Sequence, residues 1–351
     1  FTRSPKSSLS AMPVNGSIII LGIESSCDDT AAAVLVDGVV RSNVVAGQDV
    51  HREWGGVVPE LASRAHQENI VPVVHQALKK AGITKEELSA IAFTQGPGLM
   101  GSLLVGACFA RSFAQGLGIP LIAVDHLKAH VLAHFITDDD PRPTPEFPFI
   151  NLTVSGGHTQ LILVRGPLDM EIIGTTVDDA AGEAFDKGAK VMGLPYPGGP
   201  LIDKYAVNGD PKKYKLPEPQ MAGFNMSFSG IKTAFRDKVL FNEKKTPGFI
   251  EVELPHLCAS LQATIVNTVM KKLYKAARAH AITRIAISGG VSANSALRTQ
   301  VQAMGDREGW AVFVPPFAYC TDNAAMIAIS GHFLYQSSIF AALDTVPMAR
   351  W

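Results

Sequence analysis

Short apolar runs alternate along this chain with stretches of helical period and with tight polar turns, which is the pattern of an α/β protein. Residues 17–23 (SIIILGI) form a buried-strand run, and 31–36 and 39–45 follow as two more strands, with Asp37-Gly38 turning the chain between them. Apolar positions at helical spacing cover 57–81. A short buried strand is predicted at 91–94, and the Gly-rich stretch 95–101 leads into a small-residue helix over 102–116. That stretch can offer backbone N–H groups to an anion, but it has neither the GK[ST] of a P-loop nor GxGxxG, so those nucleotide-binding readings are weak.

The apolar run 120–124 delivers DHLKAHVLAH, residues 125–134, which reads as a helix opening directly off a strand. His126 and His130 then stand one turn apart on one face, and His134 extends the row. Two imidazoles at i and i+4 can reach one metal ion. The zinc-protease signature also needs a Glu directly after the first His, and here that residue is Leu127. An ordinary helix face carries the same spacing, so a third ligand has to come from elsewhere in the chain.

Residues 138–148 (DDDPRPTPEFP) read as a linker, after which the opening theme returns. A strand at 149–154, a tight polar turn at 155–159 and a strand at 160–165 repeat the strand, hairpin, strand order seen near residue 20. Small and acidic residues in such hairpins are what a fold needs to set a phosphate or its metal against backbone. The repetition predicts two related α/β lobes with a cleft between them. Farther on come a helix at 178–188 with acidic residues on one side, a Pro/Gly loop at 193–203, and helical stretches at 228–236 and 254–280. Strands at 284–288 and 310–314 bracket a glycine turn and helix, and a small-residue helix starts near 320.

At 351 residues the chain is too long for one ordinary core, which favours two domains; 47% hydrophobic and 18% charged residues describe a soluble, well-packed protein. No apolar run reaches the eighteen or so residues of a membrane helix. Cys27, Cys108, Cys258 and Cys320 form no CxxC pair, which suits reduced thiols in the cytoplasm. The net charge of −1 says nothing about partners, but residues 204–284 hold fourteen Lys/Arg against six Asp/Glu, a local excess able to face nucleic acid phosphates. Residues 1–17 are expected to be a disordered leader, foreign to the protein before Met12.

Eight strings, GIESSCDDTAAAV, HLKAH, TVSGGHTQL, AGEAFDK, GLPYPGGP, SFSGIKTA, SGGVSANS and CTDNAAMIA, stand in the order of one family. From residue 18 to about 331 the chain resembles the bacterial tRNA N6-adenosine threonylcarbamoyltransferases (TsaD), once misnamed sialoglycoprotein endopeptidases. The resemblance implies the two-lobed α/β fold of actin, hexokinase and the heat-shock ATPases. Its lobes would be 18–137 and 138–321, with a basic insertion at about 204–284, and 322–351 would return as a helix to the first lobe.

It also implies transfer of the threonylcarbamoyl group of threonylcarbamoyl-AMP to N6 of adenosine 37 in the anticodon loop of tRNAs reading codons that begin with A. One divalent metal ion, iron(II) or else zinc, would be held by His126, His130 and Asp322, and His134 would have no role. Thr153, Val154, Ser155, Gly156, Gly157, Asp186, Gly199, Asp203 and Asn294 match the substrate-binding positions, and the cleft would accept Mg-ATP or another adenine nucleotide. Asp28 and Asp29 match an acidic pair that relatives often carry as Asp-Glu, and either would assist proton removal. The implied partners are the shortened paralogue TsaB and the ATPase TsaE, with a homodimer left open. Three other readings stay in view: a metabolite kinase of the same fold, a metalloprotease, and a non-catalytic binding subunit.

Overall fold

A computed structural model describes residues 16–47, 51 and 56–350, so the expectation of a foreign leader before Met12 lies outside the described residues. The described residues fall into two compact units. Of the described residues, the first unit holds 16–47, 58–142 and 322–350, and the second holds 51, 56–57 and 143–321.

In the first unit β1 (Ile19–Glu24) is central because its residues are apolar on both faces. It pairs antiparallel with β2 (Thr30–Val36) and parallel with β4 (Ala90–Gly96). β3 (Val39–Ala46) and β5 (Leu121–Asp125) complete the order β3-β2-β1-β4-β5. Asp37 and Gly38 both take positive φ, which lets the chain reverse between β2 and β3. Ile19, Leu21 and Ile23 pack on α1 (Pro59–Ala81) and α2 (Met100–Leu117). The other face meets α9 (Ala324–Gln336), where a Cβ on Gly22 would stand 2.5 Å from the Ala324 carbonyl oxygen. Small residues on α9 and in β1 thus bring helix and strand backbones together.

The second unit repeats this plan. β6 (Phe149–Val154) is central, antiparallel to β7 (Thr159–Val164) and parallel to β9 (Arg284–Ser288), with β8 (Met170–Thr175) and β10 (Ala311–Phe313) at the edges. The order β10-β9-β6-β7-β8 is the order of the first unit strand for strand. β8 is absent from the sequence reading because it is a largely exposed edge without a continuous apolar run.

Helices α4 (Ala181–Val191), α5 (Gly199–Ala206), α6 (Ser229–Lys245), α7 (Phe249–Ala279) and α8 (Ser295–Glu308) complete the unit. The first of these starts three residues later than expected, which leaves Asp178 and Asp179 outside it. α7 starts five residues earlier than the sequence reading, because Glu243 accepts the N–H groups of Gly248 (2.9 Å) and Ile250 (2.8 Å) at its free end. The basic segment 204–284 is not an appended module: Ile231, Phe235, Val239, Leu257, Leu261 and Ile265 belong to the unit's core.

Candidate functional site

One cluster lies wholly in the first unit. β5 ends at Asp125, whose carboxylate accepts the N–H groups of Leu127 (2.9 Å) and Lys128 (3.2 Å) and so caps α3 (His126–Leu132). The capped helix sets the rings of His126 and His130 edge to face, 4.8 Å between centroids. Asp322 comes from the other end of the chain, directly before Asn323, which caps α9 through the N–H of Met326 (3.0 Å). Its Oδ1 stands 3.2 Å from His130 Nε2 and 3.4 Å from His126 Nε2. The three ligand atoms lie within 4.8 Å of one another, and both imidazoles are buried. His134 is buried in the 3-10 turn Ala133–Phe135 and takes no part in this group.

Glu24, the last residue of β1, is a member that the sequence reading left in the polar turn. It is fully buried, and its Oε2 meets His126 Nδ1 at 3.0 Å. Thr94 Oγ1 donates to the same oxygen at 2.7 Å, and the Ser26 N–H donates to Oε1. The available signal was an acid closing an otherwise apolar strand, since a buried carboxylate requires partners.

The charges in this cluster are mutually dependent. Burial opposes ionisation of Asp322, yet His126 and His130 hold its carboxyl well below the usual carboxylate range. Burial also pulls His126 down, and the Glu24 and Asp322 carboxylates outweigh it, raising the imidazole well above its ordinary value. The buried Glu24 and the partly buried Asp322 therefore demand positive charge here, from a proton or from a cation. Two imidazole nitrogens and a carboxylate oxygen converging at such a place fit a divalent iron or zinc ion.

Asp28 and Asp29 sit in the hairpin between β1 and β2. His66 Nε2 lies 3.0 Å from the Cys27 carbonyl oxygen, and Ser102 Oγ donates to that same oxygen at 3.0 Å, so the turn is held from α1 and α2. Burial, followed by the charges of Asp28, Asp322 and Glu24, pushes the Asp29 carboxyl up to about 7. Burial and the neighbouring carboxylates drive the Cys27 thiol far above its ordinary range, which removes it as a thiolate nucleophile. The anion site expected at 95–101 is not supported, because the Gly98 N–H donates to the Ala349 carbonyl (3.3 Å) and the Leu99 N–H to that of Ser26 (2.7 Å).

A second cluster lies wholly in the second unit, around the hairpin joining β6 and β7. The Ser155 N–H donates to the His158 carbonyl at 2.8 Å, leaving Gly156 and Gly157 exposed at the tip. The N-terminus of α4 presses on this hairpin: a Cβ on Gly182 would meet the Ser155 carbonyl oxygen at 2.5 Å and Gly156 Cα at 2.7 Å. Gly289, at φ +85°, packs equally tightly on the Val154 carbonyl. Thr153 and Val154 are buried, Thr153 Oγ1 bonded to Asn151 (2.9 Å) and Ser288 (3.2 Å), so they shape the hairpin from below.

Asp186 Oδ1 accepts the N–H groups of Gly198 (2.8 Å) and Gly199 (3.2 Å), fixing the Pro/Gly loop against α4. Burial raises the Asp186 carboxyl while these two bonds lower it, and burial prevails. Asp203 accepts from Ser295 N–H (2.9 Å) and Oγ (2.7 Å), and the adjacent Asn294 caps α8 through Leu297 N–H (3.0 Å) and donates to Gln262 (2.8 Å). Hairpin, α4, loop and glycine turn form one connected neighbourhood.

The model of the tRNA N6-adenosine threonylcarbamoyltransferase family (TsaD) matches residues 39–329. A protein of that name from Christiangramia forsetii is 58% identical over 334 residues, covering 95% of this chain and 98% of its own. The Porphyromonas gingivalis protein of the same name is 57% identical over 338 residues, with the same coverage. The chain belongs to the tRNA N6-adenosine threonylcarbamoyltransferase family.

The threonylcarbamoyltransferase chain also shares its fold with a solved structure of T. kodakarensis HypF, at TM-score 0.59 and 13% identity over 92% of this chain and 48% of the other. Two duplicated mixed sheets with this strand order are the fold of the actin, hexokinase and heat-shock-ATPase class. The kinase and metalloprotease readings find no favour in these comparisons. For the protease, the position after His126 is the buried Leu127, and Glu24, the acid at His126 Nδ1, is locked by Ser26 and Thr94.

Proposed function

We propose that this protein transfers the threonylcarbamoyl group of threonylcarbamoyl-AMP to N6 of adenosine 37 in tRNAs reading codons that begin with A, releasing AMP. The observation that carries this reading is the convergence of His126, His130 and Asp322 in a chain 58% identical, over nearly its whole length, to a protein of that activity. These three residues would hold one divalent ion, iron(II) first and zinc second, which when bound supplies a Lewis acid and template for the threonylcarbamoyl group.

In the transfer, N6 bonds to the carbamoyl carbon and the bond from that carbon to the phosphate oxygen breaks. Gly156 and Gly157, on the exposed hairpin tip with Ser155, offer backbone amides to the departing phosphate. Asp186 keeps Oδ2 for a ribose hydroxyl, because Oδ1 is already committed to the Gly198–Gly199 turn; Asp203 supplies a second carboxylate beside Ser295. Asn294 and Gly199 maintain the loops around these groups, and an adenine nucleotide, Mg-ATP included, fits the same donors. Asp29 takes the N6 proton, since a carboxyl near 7 suits a general base at neutral pH, with Asp28 beside it.

An anticodon-loop adenosine is accessible without opening a duplex. Exposed lysines of 204–284 such as Lys212, Lys215 and Lys244 are suited to its backbone phosphates. TsaB and TsaE, and a homodimer, belong to this proposal, as does a cytoplasmic location; no helix among the described residues is long and apolar enough to cross a membrane.

The test supplies tRNA, labelled threonine and an adenylate-forming enzyme, with and without the two partner proteins. Label in tRNA is the expected result. Transfer of γ-phosphate to a small molecule without tRNA labelling replaces the proposal with the kinase, and peptide cleavage abolished by His126→Ala replaces it with the protease. Labelling seen only when the partners are present identifies an incomplete enzyme; none even then identifies a scaffold.

A further inference from the structure

We infer that Glu24 is a positioning residue for the metal-binding imidazole of His126, a role that rests on the metal reading above. A neutral imidazole has one donor and one acceptor nitrogen, and only the acceptor can ligate a metal. Glu24 Oε2, 3.0 Å from His126 Nδ1, accepts the Nδ1–H and fixes that tautomer. The Nε2 lone pair is then the one on the side of Asp322 Oδ1, 3.4 Å away. An outer carboxylate also makes the ligand nitrogen more basic.

The carboxylate itself is immobilised on every side. It closes the central strand of the sheet, its Oε1 accepts the Ser26 N–H, and its Oε2 accepts Thr94 Oγ1–H at 2.7 Å from the neighbouring strand β4. Burial is complete, so water does not compete for these bonds. His130 provides the contrast: among the described residues its buried Nδ1 has no hydrogen-bond partner. His126 thus meets a carboxylate at both ring nitrogens, Glu24 at Nδ1 and Asp322 at Nε2, whereas His130 meets one at Nε2 alone, through Asp322 at 3.2 Å.

The experiment titrates Co(II) into the metal-free full chain and follows both affinity and the visible absorption band, with thermal unfolding of the metal-free protein in parallel. Glu24→Gln removes the charge without changing size, and is expected to raise the metal dissociation constant by about 10- to 100-fold and shift the Co(II) band. Glu24→Asp keeps the charge but withdraws it from Nδ1, and is expected to weaken binding as well. A buried acid that served only the fold would be restored by Asp. Should Glu24→Gln not fold, the Asp variant decides. Wild-type affinity and spectrum in these variants overturn the inference and leave the metal reading standing; a wild-type chain that binds no metal, with His130→Ala indistinguishable from it, overturns both.

Discussion

His130 Nε2 and Asp322 Oδ1 stand 3.2 Å apart although 192 residues separate them in the chain. That contact depends on α9 packing back onto the first sheet, so the candidate metal site and the C-terminal helix are one structural unit. Asp322→Ala is expected to abolish metal binding and, in the metal-free protein, to lower stability by about 1–3 kcal/mol, since buried His130 loses its carboxylate partner while His126 keeps Glu24. Metal analysis of the purified variant and chemical denaturation check the two parts.

Metal affinity is expected to rise with pH. His126 is held protonated above its ordinary range by Glu24 and Asp322, and a metal ion must displace that proton. Below the raised value, apparent affinity should increase about tenfold per pH unit and then level off. In the metal-free protein the sign is opposite for stability: the protonated imidazole contributes fully below its unfolded value of 6.5, and this is lost as pH rises through the folded one. Titrations in buffers of differing ionisation enthalpy measure the released proton.

Asp29 makes a separate pH prediction. With its carboxyl pushed up to about 7, transferase activity should climb as pH rises through that region. Asp29→Asn should lower kcat by about 10²- to 10⁴-fold and flatten this limb. Because the folded carboxyl is raised, its ionisation destabilises the fold progressively from pH 3.8 up to about 7. The Asn variant should therefore melt higher than wild type at pH 8, which separates a catalytic loss from a folding defect.

Two glycines near the hairpin should behave oppositely. Gly182→Ala places a Cβ 2.5 Å from the Ser155 carbonyl oxygen, so backbone must move, and both AMP affinity and stability should fall. Gly157 has nothing within 4 Å of such a Cβ, so Gly157→Ala should stay within about 0.5 kcal/mol of wild type in stability. Calorimetry with AMP and thermal melts distinguish the two.

Phe235 is fully buried in α6, within the basic segment. Phe235→Ala should cost about 3–5 kcal/mol, measured by denaturant unfolding. A loss of that size confirms that the lysine-rich stretch is core scaffold whose outer face alone is free for phosphates.

The sequence by itself determined the elements and their duplication. Alternation and apolar runs are local properties, and they placed β1, β2, β6, β7 and the helix of His126 and His130 to within a residue or two. The family strings supplied Asp322, which no local pattern links to the histidines. Tertiary structure decided what each polar group is used for. Glu24 looks like turn material until packing encloses it between Thr94, Ser26 and His126. Only the fold shows that Thr153 is bonded within the hairpin and that Asn294 caps a helix. Asp29 is already offered as a base by the family resemblance, but its raised carboxyl comes only from burial and the three other carboxylates around it. The reason is physical: period and propensity act between neighbours in sequence, whereas desolvation and hydrogen-bond partnership depend on groups that only the folded chain brings together.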